Sequence, residues 1–120
     1  GRESAADWNY GYKEAYKYLS EVESDYENIY FTNVLGRPHV YYLFHNKISP
    51  EYYRNNSEIE RDVFGFVHVN KIGKYNFNNF GNSENSIHVE RWDKIPENVK
   101  ILKNFNLPDG KPMLSAYVQN

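Results

Sequence analysis

A layered α/β fold, with a mixed sheet of about five strands and helices packed on it, is the class this sequence predicts. Three observations predict it. An apolar stripe at helical spacing opens the chain, short alternating runs follow, and two Pro-led helix starts lie between them. The 120 residues suffice for one domain with a real core. That domain is assigned to residues 7–120, with 1–6 a frayed lead-in or cloning remnant. The aromatic helix begins almost at the first residue, so the chain reads as a piece of something larger.

Trp8, Tyr12, Ala15, Tyr16, Leu19 and Val22 make one face of a helix running from Trp8 to about Val22, capped by Asp7 or Asn9. Lys13, Glu14, Lys17, Glu21 and Glu23 take the other face. Gly11 in the first turn costs roughly 1 kcal/mol against Ala, which predicts close packing there. Asn28–Asn33 is a β-rich run and the first strand. Gly36-Arg37-Pro38 starts a second helix, with Val40, Phe44 and Ile48 on its inner face beside Tyr41, and His45 and Lys47 turned away. Ser49-Pro50-Glu51 starts a short helical turn through Tyr52 and Tyr53, and Asn55–Glu60 reads as a polar loop.

Phe64–Val69 alternates, and apolar residues on both sides predict a central strand covered by helices. Lys71–Lys74 turns the chain into Tyr75-Asn76-Phe77 as a hairpin partner. Asn78–Asn85, with four Asn, a Gly and a Ser, reads as the most mobile loop. Ile87–Trp92 is another strand. Pro108-Asp109-Gly110 separates Ile101–Leu107 from Met113–Val118, an Asp-Gly hairpin signal, with a helical turn at Pro96–Leu102 as the competing assignment.

Composition restricts function more than it assigns one. The net charge of −2 and scattered basic residues argue against nucleic acid as a partner. With no Cys there is no disulfide frame, Cys₄ zinc site or thiol nucleophile. His39, His45, His68 and His88 show no metal-ligand spacing, so no metal or other cofactor is expected. His68, between two valines, reads as a hydrogen-bonded core histidine. Glu58, Glu60 and Asp62 crowd a loop, and Asp25 and Glu27 flank Tyr26, patterns that usually solvate a surface. No phosphate-binding glycine loop and no Gly-x-Ser-x-Gly elbow is present. No catalytic residue is assigned.

Two features remain as binding candidates. Arg37-Pro38-His39, at the start of the second helix, combines a guanidinium with the positive helix end and suits an anion. The 12 Tyr and 7 Phe supply rings that serve either as core or as a half-wet surface, with Trp8, Tyr10, Tyr12, Tyr42 and Tyr53 the candidates.

Taken in order, WNYGYKEAYKYL, NIYFTN and RPHVYYLFHNKISPEYY resemble the soluble C-terminal domain of polytopic membrane glycosyltransferases of family 39, the dolichyl-phosphate-mannose–protein mannosyltransferase-like group. The matching residues are Trp8, Tyr10-Gly11-Tyr12-Lys13, Ile29–Thr32, Pro38–Phe44, Pro50 with Tyr53, and Pro108-Asp109-Gly110-Lys111. Each motif is short, and none is a catalytic signature. The resemblance implies a parent enzyme that moves a sugar from a polyprenyl-phosphate donor to a protein, lipid or glycan acceptor outside the cytoplasm. Its catalytic acid would lie in an early loop between membrane helices, outside this chain. The domain would sit on the extracytoplasmic side of a multi-pass membrane protein. Its partners would be the transmembrane portion of the same polypeptide, the membrane surface and the acceptor, with Trp8, Tyr10 and Tyr12 near the headgroups. The alternative is a free-standing carbohydrate- or protein-binding module with an aromatic surface, which would show an exposed ring patch away from the N-terminus. A small enzyme with a histidine or carboxylate cleft is a third reading.

Overall fold

The stripe that predicts the first helix is the stripe the fold buries. In this computed structural model, which describes residues 5–34, 36–77 and 84–119, helix α1 spans Ala5–Val22, so it starts before Trp8 and takes in Asp7 and Asn9, neither of which is its cap. Tyr12, Ala15, Tyr16 and Leu19 are fully buried, and Trp8 and Val22 pack against the core at its margin. Gly11 is buried too, and a Cβ there would run into Met113 Sδ, so the glycine is what lets the helix lie on the sheet.

The sheet has seven strands rather than about five. β1 (Asn28–Phe31) lies between β4 (Tyr75–Asn76) and β5 (Ser86–Arg91), both parallel to it. Beyond β4 lie β3 (Val67–Ile72) and then β2 (Ser57–Arg61), and beyond β5 lie β7 (Pro112–Gln119) and then β6 (Val99–Asn106). All outer pairings are antiparallel, so the sheet is mixed. Register sorts the two faces. Ile29 opposes Ile87 and Phe31 opposes Val89, and this set lies under α1, where Phe31 stacks on Tyr16 with ring centres 4.5 Å apart. On the other face Tyr30, His88 and Tyr117 align across three strands, their rings stacked at 5.0 and 4.9 Å.

Both expected hairpins form. Gly110, at φ +89°, closes the turn between β6 and β7, where its N–H donates to Leu107 and the Leu107 N–H to Lys111. The competing helical turn at Pro96–Leu102 does not form, because β6 starts at Val99 and only a single 3-10 turn, Trp92–Lys94, precedes it. Gly73, at φ +57°, turns β3 into β4. Of the Asn-rich loop expected over 78–85, residues 78–83 lie outside the described residues.

Three expectations are corrected. Helix α2 (Pro38–His45) does not bury Val40 and Phe44, which are exposed; it buries Pro38 and Tyr42 and turns Tyr41 inward. Tyr41 stacks on Tyr12 at 4.2 Å, Tyr42 meets Tyr75 at 4.2 Å, and the Tyr16 hydroxyl donates to the Pro38 carbonyl at 2.6 Å. Wide rings that find ring partners outweigh one valine and one phenylalanine in setting the helix rotation. The segment Asn55–Glu60 is not a loop. Helix α3 (Pro50–Asn56), capped by Ser49 Oγ accepting from the Tyr52 N–H, passes directly into β2. An edge strand tolerates charged residues, so β2 carries no apolar alternation to read.

The third correction concerns Phe64–Val69, which is not a central covered strand. β3 begins only at Val67, and Asp62–Phe66 forms the β2–β3 turn, with Phe64 81% and Phe66 66% exposed. Gly65 at φ +84° breaks the extended backbone that alternation presumes. The covered central strands are β1 and β5.

Strand directions place the parts. The C-terminal end of β1, the start of α2, the β2–β3 turn and the start of β7 share one end of the sheet. Gly11 against Met113 puts the first turns of α1 at that end as well. Lys74 Nζ fixes the opposite end, donating to the carbonyls of Glu23 at 2.7 Å and Tyr26 at 3.0 Å.

Candidate binding groove

At the end of the sheet where β1 hands over to α2, the chain leaves a groove of about 520 Å³. One wall is the segment from Asn33 to His39, and the other is the start of β3 from Phe66 to Val69, with Phe77 and Tyr53 completing it. Pro38 at the first position of α2 sets the entry of the helix, and buried Pro38 anchors that turn beneath Tyr16. Arg37, directly before it, is exposed and projects from the rim. His39 is half-buried, its ring edge-on to Phe77 at 6.3 Å.

Burial first, and the Arg37 charge second, hold the His39 imidazole below its ordinary value. At neutral pH it is an uncharged ring with one N–H to donate. Across the groove His68 Nε2 lies 3.1 Å from Asp62 Oδ2, while Asp62 Oδ1 accepts from the N–H groups of Phe64 at 2.9 Å and Phe66 at 3.0 Å. The His68 hydrogen bond, then the Phe66 and Phe64 N–H groups, keep the Asp62 carboxyl below its ordinary value. Both carboxylate oxygens are therefore engaged in shaping the turn.

Among the described residues, the lining carries no carboxylate, serine, threonine or cysteine. Arg37, His39, His68 and Asn33 line it beside the apolar walls of Phe66, Val67, Val69 and Phe77. Such a lining suits a ligand with one polar and one apolar part.

The sequence candidates divide into three sets. Arg37, His39 and Tyr53 come together at this groove. Trp8, half-buried, and Tyr10, 45% exposed, sit on the first turns of α1 and do not line it. Tyr12 and Tyr42, offered as surface rings, are core residues, 1% and 5% exposed. Burial pushes the hydroxyl groups of both well above the ordinary tyrosine value.

Sequence reasoning missed His68, read as a core histidine. Its side chain is half exposed, and its partner is Asp62, six residues earlier across the glycine turn. An Asp and a His flanking Val-Phe-Gly-Phe-Val was the available signal. A second groove of about 430 Å³ lies between α1 and α2, where Lys13, Lys17 and Glu23 mix charges around His45. No three His, Cys, Asp or Glu side chains among the described residues are grouped to hold a metal ion, and no described helix is long and apolar enough to cross a membrane. No known family model matches the chain, and no curated protein or solved structure matches it.

Proposed function

We propose that this chain is the extracytoplasmic accessory domain of an integral-membrane glycosyltransferase that moves a sugar from a polyprenyl-phosphate donor to a protein, lipid or glycan acceptor, and that the domain binds rather than reacts. The glycosyltransferase part rests on the sequence resemblance. The structural observation that supports the membrane-adjacent part is one of placement. The first turns of α1 and the exposed Val63-Phe64-Gly65-Phe66 turn lie at the same end of the sheet. In the resembling domains a membrane span leads into this helix, so that end is the one facing the bilayer.

Placement of the aromatic surface differs from the sequence expectation. Trp8 packs against the core and Tyr12 is buried, so the exposed rings at that end are Tyr10, Phe64, Phe66 and, after β5, Trp92. The native gene upstream of Gly1 tests the reading. Several apolar stretches of about 20 residues, with an acidic residue in the first external loop, are the expected result. A start codon or signal peptide directly ahead of Trp8 overturns it.

The free-standing binding module is the second reading, and Phe64 with Phe66 favours it, because these rings form an exposed patch away from α1 in sequence. Under that reading the same groove serves a soluble ligand.

A further inference from the structure

The two edges of the sheet carry opposite charge. β2, at one edge, reads Ser57-Glu58-Ile59-Glu60-Arg61, and β6, at the other, starts Val99-Lys100-Ile101-Leu102-Lys103-Asn104. Glu58, Ile59, Glu60, Lys100, Ile101 and Lys103 are all exposed. Register assigns each side chain to a face. Glu58 lies opposite Lys71, Lys71 opposite Asn76 and Asn76 opposite Tyr30, so Glu58 and Glu60 share the face of Tyr30 and His88. Ile59, between them, is on the α1 face. On β6 the assignment is reversed. Lys100 lies opposite Val118 and Lys103 opposite Ala116, on the α1 face, and Ile101 lies opposite Tyr117 on the other. Leu102 is the extra residue of a bulge, which keeps both lysines on one face.

Both edge strands run parallel to β1. Turning a second copy end for end and face for face therefore brings its β2 antiparallel against β6, with its glutamates on the side of the lysines. In one register the second copy's Glu60 meets Lys100, its Ile59 meets Ile101, and its Glu58 meets Lys103 across the bulge. The main chain agrees with that register. The Asp62 N–H donates inward to the Phe66 carbonyl and the Gly73 N–H to the Asn56 carbonyl, so alternation turns the polar groups of Ser57, Ile59 and Arg61 outward. The Leu107 N–H donates inward to the Lys111 carbonyl, which by the same alternation leaves Asn104 outward. The Val89 carbonyl accepts from Thr32, so its neighbour His88 bonds Tyr117, and Ile101 opposite Tyr117 faces out. Ile59 and Ile101 can thus exchange main-chain hydrogen bonds, flanked by the two charge pairs.

Charge selects this pairing over the others. Two β2 edges together set Glu against Glu, and two β6 edges set Lys against Lys, both destabilising. Within the chain, β7 places only Val118 and Ala116 opposite the lysines, while Lys71 and His68 lie opposite Glu58 and Glu60. Asn70 donates to Glu60 at 3.3 Å, and Lys103 Nζ stands 5.7 Å from the centre of the Tyr18 ring. Neither contact removes the charge that the opposite edge would meet.

We infer that β2 and β6 are complementary docking edges for a second copy of this chain, joined by strand addition in a salt-sensitive contact. Each joined pair keeps one free edge of each kind, so copies add in a row rather than closing at two. The flip points successive α1 starts in opposite directions, so the contact joins copies that no single membrane surface holds. It goes beyond the accessory-domain reading and does not rest on it.

Sedimentation velocity of the purified 120-residue chain over a range of concentrations tests it. Association that rises with concentration at about 0.05 M salt and weakens at about 0.5 M is expected. Glu58→Lys with Glu60→Lys makes both edges basic, and Lys100→Glu with Lys103→Glu makes both acidic. Either variant alone should associate about tenfold more weakly than the parent, with its circular dichroism unchanged. An equimolar mixture of the two should associate again, because each basic edge then meets an acidic one. A parent that stays monomeric or ignores salt overturns the inference. So do variants that associate like the parent, or a mixture as inert as its components. Should a variant not fold, the parent's own response to concentration and salt still decides. None of these failures touches the glycosyltransferase reading, which the upstream gene decides.

Discussion

Two aromatic clusters of this domain put similar side chains to opposite uses. Between α1, α2, β1 and β4, the rings of Tyr12, Tyr16, Phe31, Tyr41, Tyr42 and Tyr75 pack on one another at 4.2 to 6.4 Å, and all but Tyr41 are buried. At the β2–β3 turn, Phe64 and Phe66 meet no such partners among the described residues and are largely exposed. Hydropathy ranks the phenylalanines as the better core residues, yet the tyrosines occupy the core. What separates the clusters is backbone position. The tyrosines project from regular helices and strands onto a shared layer, whereas the phenylalanines project from a turn at the sheet's end. Burial follows where the chain places a ring, and the ring's polarity decides only whether its hydroxyl needs an outlet. Tyr16 finds one in the Pro38 carbonyl.

The strongest way to break that contrast is Tyr16→Ala. The side chain is fully buried and ties α1 to α2 through its hydroxyl, so its removal should cost about 3–5 kcal/mol, read by denaturant unfolding. A loss below about 1 kcal/mol would show that the tyrosine layer is dispensable. Gly11→Ala comes next. Helix propensity alone favours alanine by about 1 kcal/mol. Overlap with Met113 Sδ should reverse this to a net loss of about 1–2 kcal/mol, because Met113 is itself buried. Adding Met113→Ala to Gly11→Ala should cost less than the sum of the two single changes. Additive losses would mean the two sites do not touch.

A pH series sharpens the comparison from another side. Burial holds His88 below the ordinary histidine value, and burial followed by Arg37 or Lys13 does the same for His39 and His45. The folded chain takes these protons at lower pH than the unfolded chain. Their stabilising contribution is therefore complete above the unfolded value near 6.5 and is lost as pH falls through the lowered folded values. Midpoints of urea unfolding should drop between pH 7 and pH 5. A flat profile with His88→Gln indistinguishable from the parent would remove burial of the His88 ring as a stability term. The smallest expected effect is Phe64→Ser with Phe66→Ser, which should leave unfolding stability within about 0.5 kcal/mol while raising solubility. A loss comparable to Tyr16→Ala would place these rings in a core after all.

Much of the fold was legible from local pattern. The α1 stripe, the Ser49 cap and the Asp109-Gly110 hairpin each follow from residues within a few positions; the stripe is buried as expected and the other two formed where expected, while α1 itself starts earlier than its expected cap. β2 was not legible, since Ser57–Arg61 is polar and becomes a strand only because β3 lies alongside. The groove was half legible. Arg37 and His39 stand beside a Pro-led helix start, a signal readable in one line of sequence. Tyr53 joined them through α3, and His68 through a hairpin whose turn was read as part of a strand.

By itself the sequence determined the α/β class, most element starts and the Pro-led helix start at Arg37–His39, because propensity, capping and turn chemistry act over a few residues. Only the tertiary structure decided the rotation of α2, the central place of β1 between two parallel neighbours, and the exposure of Phe64 and Phe66. Those outcomes depend on which distant surfaces meet, and a periodic pattern shows that a face is apolar without showing what will cover it.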